Sequence, residues 1–125
     1  MISFEPNVPR NLLEIRYGGV VRAEETEKGL EQLRASLAKL KIGFRVPVDL
    51  TALESMDVKC APSVETAMDL CNEKGASTIV RIIPDPRRDI GLQIMSIFHY
   101  RGDVRIITCQ NLAEANEILS SDVET

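Results

Sequence analysis

The sequence predicts an α/β fold: a mostly parallel sheet of four to five strands with alternating helices. Three observations lead there. Val46, Val48 and Leu50 alternate at period two, and apolar residues then switch to helical spacing at Val64, Ala67, Met68 and Cys71. The β-branched run Thr78, Ile79, Val80, Ile82 and Ile83 suits a buried parallel strand. Strand and helix patterns alternate four times after one extra N-terminal strand, which implies right-handed crossovers.

In chain order, Ile2 to Glu5 alternates as a short first strand, with Pro6 and Pro9 bracketing a turn. Asn11 to Arg16 follows, placing Leu13 and Ile15 on one face, and Gly18-Gly19 is expected to close that strand. Glu24 to Leu40 is the clearest helix. Leu30, Leu33, Leu37 and Leu40 form its stripe, Glu24, Glu25 and Glu27 sit at the positive end of its dipole, and Gly43 is the expected C′ residue. A strand over Phe44 to Leu50 contains Pro47, which cannot donate to a ladder, so a bulge or an orphaned group is expected there. Thr51 to Lys59 reads as a loop ending at Asp57. A helix from Cys60 to Lys74 stops at Gly75. After the strand Ser77 to Ile83 come a loop, Pro84 to Arg88, and a third helix, Ile90 to His99, with Asp89 as N-cap and Gly102 as stop. Val104 to Thr108 is the last strand. Asn111 caps a final helix with Glu114 at capping-box spacing, and Leu112, Ala115, Ile118 and Leu119 form its apolar face. One domain over residues 1–125 is expected, with a frayed tail from about residue 120.

Composition narrows function by exclusion. The 125 residues carry a formal charge of −4 and only 4% aromatics with no Trp, so neither charge nor a stacking platform points to nucleic acid. No basic-then-apolar leader and no membrane-length apolar run is present, so a protein of the cytoplasm that does not span a membrane is expected. Cys60, Cys71 and Cys109 show no paired spacing, which fits reduced thiols.

The chain gives little support to catalysis. There is one histidine, His99, and no motif with catalytic or metal-binding spacing, so neither an enzyme nor a metal or cofactor is expected. Cys60 and Cys71 lie eleven apart on one helix and share a face, which suits packing better than chemistry. Arg22, Arg87 and Arg88 fall near βα junctions, where a helix N-terminus can hold an anion. The bland alternative is solvated surface. Thr51 and Ser55 carry hydroxyls that could accept phosphate, or could satisfy local backbone.

The run Val48-Asp49-Leu50-Thr51-Ala52-Leu53-Glu54-Ser55-Met56-Asp57 resembles the signature loop of STAS domains, the family shared by sulphate transporters and anti-sigma-factor antagonists. The order of elements resembles it too, including Gly19, Lys74-Gly75, Gly102 and Asn111-Leu112-Ala113-Glu114-Ala115. The resemblance implies a STAS/SpoIIAA-like fold and a non-enzymatic protein-interaction module. Its partner would be a protein such as an anti-sigma factor kinase. The implied contact residues are Thr51, Ser55, Asp57, Val58, Lys59, Ser63 and Thr66, with Glu65 and Asp69 on the same helix face. One departure matters. Where phosphorylated family members carry a serine directly after the loop aspartate, this chain has Val58, which cannot take phosphate. A second implied reading is a ligand sensor for an anion or nucleotide, or a cytoplasmic accessory subunit of a transport system, using Arg22, Arg87 and Arg88. Oligomeric state is left open.

Overall fold

A computed structural model describes residues 1–83 and 104–124. The expected loop Pro84 to Arg88, the third helix with its Asp89 cap and Gly102 stop, and the candidate anion ligands Arg87 and Arg88 lie outside the described residues. Five strands form one sheet in sequential order: β1 (Ile2–Asn7), β2 (Leu12–Val21), β3 (Arg45–Met56), β4 (Thr78–Ile82) and β5 (Arg105–Cys109). β1 is antiparallel to β2, and every later pairing is parallel. The helices are α1 (Ala23–Leu37), α2 (Ala61–Glu73) and α3 (Leu112–Glu124), with a 3-10 turn at Val58–Cys60 before α2. The expected mostly parallel α/β sheet is what forms.

The two faces of the sheet bury different residues, as period-two strands require. Phe4, Leu13, Ile15, Tyr17, Val46, Leu50 and Ile79 face α1 and α2 in the main core, and all are buried. Leu33 and Leu37 supply the α1 side, and Val64, Ala67, Met68 and Cys71 the α2 side, as their helical spacing predicts. On the opposite face Leu12, Val80, Ile82 and Cys109 meet Ala115 and Leu119 of α3. Leu112, expected on that apolar face, is 48% exposed because it starts the first turn of α3, beyond the edge of the cluster.

Several boundaries differ from those the sequence predicts, each for a local reason. Pro6 lies within β1, paired with Leu13, and the turn falls at residues 8–11. A proline is tolerated there because β1 is the edge strand. α1 stops at Leu37 instead of Leu40. The N–H groups of Lys39 and Leu40 bond three residues back, to Ser36 and Leu37, in a tightened last turn. Gly43 (φ +90°) serves a separate turn and donates its N–H to the Gly75 carbonyl at 2.7 Å. Gly75 (φ +96°) does follow the end of α2, as expected of a C′ glycine. No bulge forms at Pro47, which stays in unbroken register with Val80 of β4.

The largest difference lies at the C-terminal end of the sheet. Gly18-Gly19 does not close β2, and Thr51 to Met56 is not a loop: both strands run on as a pair to Val21 and Met56. Two register shifts, between Arg16 and Gly18 and between Gly19 and Val20, insert an extra β3 residue each time. The inward positions of β3 therefore space out to Leu50, Leu53 and Met56, while Tyr17 and Val21 keep the period of β2. Gly19 takes φ +64° within the bulged segment, a conformation glycine adopts without penalty. Asp49 braces the first bulge: its Oδ1 accepts the Thr51 N–H at 2.9 Å and the Thr51 hydroxyl at 2.7 Å, and Arg16 Nε lies 3.5 Å from Oδ2.

Side chains also tie the opposite end. Asn11, in the left-handed region at φ +53°, accepts the Lys41 N–H at 2.9 Å and donates to the Lys41 carbonyl at 3.1 Å. The buried Arg45 guanidinium donates to the Leu119 carbonyl of α3 and to the Arg10 carbonyl at 3.2 Å.

Close helix–strand packing yields a stability test. A Cβ at Gly29 would sit 2.9 Å from Phe4 Cε2, and Phe4 is itself buried. Gly29→Ala is expected to destabilise by about 1–2 kcal/mol in denaturant titration, overpacking outweighing the gain in helix propensity. An unchanged or raised midpoint would show that Phe4 can yield.

Candidate functional site

β2 and β3 both end where the parallel sheet gathers its C-terminal strand ends, the position at which α/β sheets generally build sites. Their ends and the elements that follow enclose an open depression lined by Val20, Arg22, Glu24, Ser55, Met56, Asp57 and Lys59. Strand pairing carries through to its floor, since Asp57 donates its N–H to the Val21 carbonyl at 3.2 Å.

Two carboxylates shape the rim. Asp57 caps the 3-10 turn: its Oδ1 accepts the Lys59 N–H at 2.9 Å, and its carbonyl accepts the Cys60 N–H at 2.9 Å. That cap, together with Pro62 in the first turn of α2, turns the chain from strand to helix. On the other side Glu25 accepts the Arg22 N–H at 3.3 Å and lies 3.0 Å from the Met1 amine, which also donates to the Gly18 carbonyl at 2.8 Å. The hydrogen bond from that amine, then the one from Arg22, holds the Glu25 carboxyl below its ordinary pKa.

Most of the residues implied by the family resemblance lie on this surface. Ser55, Asp57, Val58 and Lys59 are exposed around the depression, and Val58 is 84% exposed. Arg22 is exposed on the same rim. Thr51 is exposed but committed locally, its hydroxyl bound to Asp49. Thr66 is half-buried and donates its hydroxyl to the Pro62 carbonyl at 3.0 Å. Ser63 is a correction: expected on the outer side of α2, it is buried, because it falls beside Val64 and Ala67 on the core-facing arc. Glu65 and Asp69 do occupy the exposed face of that helix. Two features were missed. Val20 is 54% exposed on the rim, and Glu25 organises the corner. The alternation Tyr17, Gly19, Val21 across the glycine pair was the signal that β2 continues with Val20 pointing outward.

Cys60, Cys71 and Cys109 are all buried free thiols. Burial pushes the Cys60 and Cys109 thiols up, away from the reactive thiolate, with the Glu114 carboxylate adding to the rise at Cys109. Burial likewise raises Tyr17, in the core beneath α2. Among the described residues no group of three or more His, Cys, Asp or Glu is placed to hold a metal ion. No described helix is long and apolar enough to cross a membrane.

Two outcomes follow. Because the Glu25 carboxyl is depressed, its contribution to stability is present above the unfolded carboxylate pKa and is lost as pH falls through the lower folded value. The acid side of a stability–pH profile should therefore flatten in Glu25→Gln, and an unchanged profile would remove Glu25 from that corner. A thiol reagent at neutral pH should label Cys60 and Cys109 only upon unfolding, and rapid native labelling would contradict their burial.

No protein-family model and no curated protein matches this chain. Among solved structures it is similar to an uncharacterised protein of the DUF3478 family from Shewanella loihica PV-4, which has a SpoIIAA-like fold. That likeness has 16% identity and a TM-score of 0.68, over 95% of this chain and 92% of the other. It is also similar to the anti-sigma factor antagonist SpoIIAA in its unphosphorylated form, at 15% identity and a TM-score of 0.61, over 96% and 98% of the two chains. Identities this low speak for architecture alone, and the architecture of this chain is a STAS/SpoIIAA-like fold.

Proposed function

We propose that the chain is a non-enzymatic protein-interaction module that works in the manner of an anti-sigma factor antagonist. Its docking surface is the rim formed by Ser55, Asp57, Val58 and Lys59 with Val20 and Arg22. The observation that carries this reading is Val58, an apolar side chain 84% exposed and held outward by the Asp57 cap. Removing such an exposed apolar side chain from water favours association. The shared fold with an anti-sigma factor antagonist supports the class of partner, an anti-sigma factor kinase. Without a hydroxyl at Val58 no phosphate can be installed there, so binding would be constitutive.

Immobilised protein incubated with cytosol of the source organism, followed by mass spectrometry, tests the reading. Recovery of a histidine-kinase-like ATPase supports it, with Val58→Asp expected to weaken capture at least about tenfold, or 1.4 kcal/mol. Phosphate found on residues 51–63 after incubation with that kinase would defeat the constitutive part. Recovery of a transport ATPase, or of nothing, would overturn the antagonist assignment.

A second reading is favoured by one observation: Arg22 and Lys59 line the same open depression. There the site would take an anion or nucleotide, as a sensor or as an accessory subunit of a transport system. A ligand at about a hundred times its Kd should add about 2.7 kcal/mol of stability. No thermal shift across a panel of anions and nucleotides would reject it.

A further inference from the structure

We infer that the cavity between α2 and the sheet is a binding site for a short-chain monocarboxylate. It lies apart from the docking rim and does not rest on that reading. The cavity is partly open, with a volume of about 50 Å³, and its walls include Ile15, Val48, Leu50, Val64, Met68 and Ile79. Tyr17 and Arg81 also line it. Arg81 is where β4 departs from an apolar interior. The α2 side of that strand carries Ile79, Arg81 and Ile83, all buried. Arg81 is 6% exposed and stands in register with Val48 of β3, which is half-buried. Its guanidinium donates to the Thr108 hydroxyl of β5 at 2.7 Å, which fixes one arm of the fork. Tyr17 is 5% exposed and, among the described residues, makes no hydrogen bond. A hydroxyl so buried is ordinarily paired, so its partner is expected in the cavity.

The chemistry of the lining selects the ligand. A guanidinium has donors only. Burial pushes the Tyr17 hydroxyl up, so it stays a protonated donor. No Asp or Glu lines the cavity. The occupant therefore needs an acceptor head on an apolar body. A planar carboxylate suits a guanidinium fork best, since both are flat and oppositely charged. A cationic head would meet Arg81 with like charge. Phosphate or sulfate would set a tetrahedral, often doubly charged group against aliphatic walls, at a larger cost in lost hydration. Volume sets the size. A space of this volume holds about four non-hydrogen atoms, so the ligand carries about two to four carbons.

Sodium propionate titrated into the whole protein at constant ionic strength, followed by methyl NMR, tests this. Saturable shifts at Ile15, Val48, Val64 and Ile79 are expected, with a Kd below about 1 mM. Propionamide has the same shape without the charge and should bind at least about tenfold more weakly. Tyr17→Phe removes only the hydroxyl and should raise the Kd about threefold to tenfold. Ala67→Val adds bulk from α2 into the cavity and should block binding. Circular dichroism checks that both variants are folded, and either one alone keeps the test decisive. A Kd above about 1 mM, or propionamide binding as well as propionate, would overturn the proposal. So would cavity methyls that never shift, the signature of a site holding water alone. Shifts confined to Val20 and Val58 would also overturn it, and would place the anion at the depression lined by Arg22 and Lys59. Partner capture does not use the cavity, so success or failure there is scored separately.

Discussion

The structure depends on β2 and β3 remaining paired beyond the point where β4 stops. β4 ends at Ile82, opposite Asp49, yet β3 continues seven residues further along β2. That extension places the start of α1 and the 3-10 turn before α2 side by side. Two bulges let the longer strand follow the shorter one while still turning Leu53 inward. Extra residues in one strand of a pair sharpen its twist and re-aim its side chains. Ser55 and Val20 reach the surface as a result, opposite each other in register.

Packing on the two faces reinforces this arrangement unequally. Two helices and most of the large apolar side chains cover one face. The other carries α3 over a smaller cluster. The corners of the β2–β3 extension are held by hydrogen bonds instead, at Glu25 on one side and Asp57 on the other. Polar fastening leaves Val20 and Val58 of the rim pointing outward.

The fold was legible in the sequence because its signals were periodic. The stripe Leu33 and Leu37, the spacing Val64 to Cys71, and the run Thr78 to Ile82 each correspond to an element facing the core as their period requires. The candidate site was legible only in part. Its residues could be located, but Thr51 to Met56 read as a loop because each bulge breaks the alternation by one residue. A pattern count takes such an interruption for the end of a strand, whereas the ladder absorbs it. Gly18-Gly19 misled for the same reason: a glycine pair signals a turn from sequence, and here it relieves a bulge. Ser63 was misplaced although the phase of α2 was right: it lies four residues before Ala67, and the buried arc is wide enough to take it in.

The Arg45 guanidinium has a consequence for how the chain assembles in time. Its acceptors come from the β1–β2 turn, 35 residues before it, and from α3, 74 residues after it. Taking a cation out of water is unfavourable until its hydrogen bonds are in place. On the ribosome, where N-terminal segments emerge first, the sheet would have to wait with this charge still hydrated. Emergence of α3 then supplies the Leu119 carbonyl. Arg45 thereby ties packing of the far face to a helix 74 residues further along the chain.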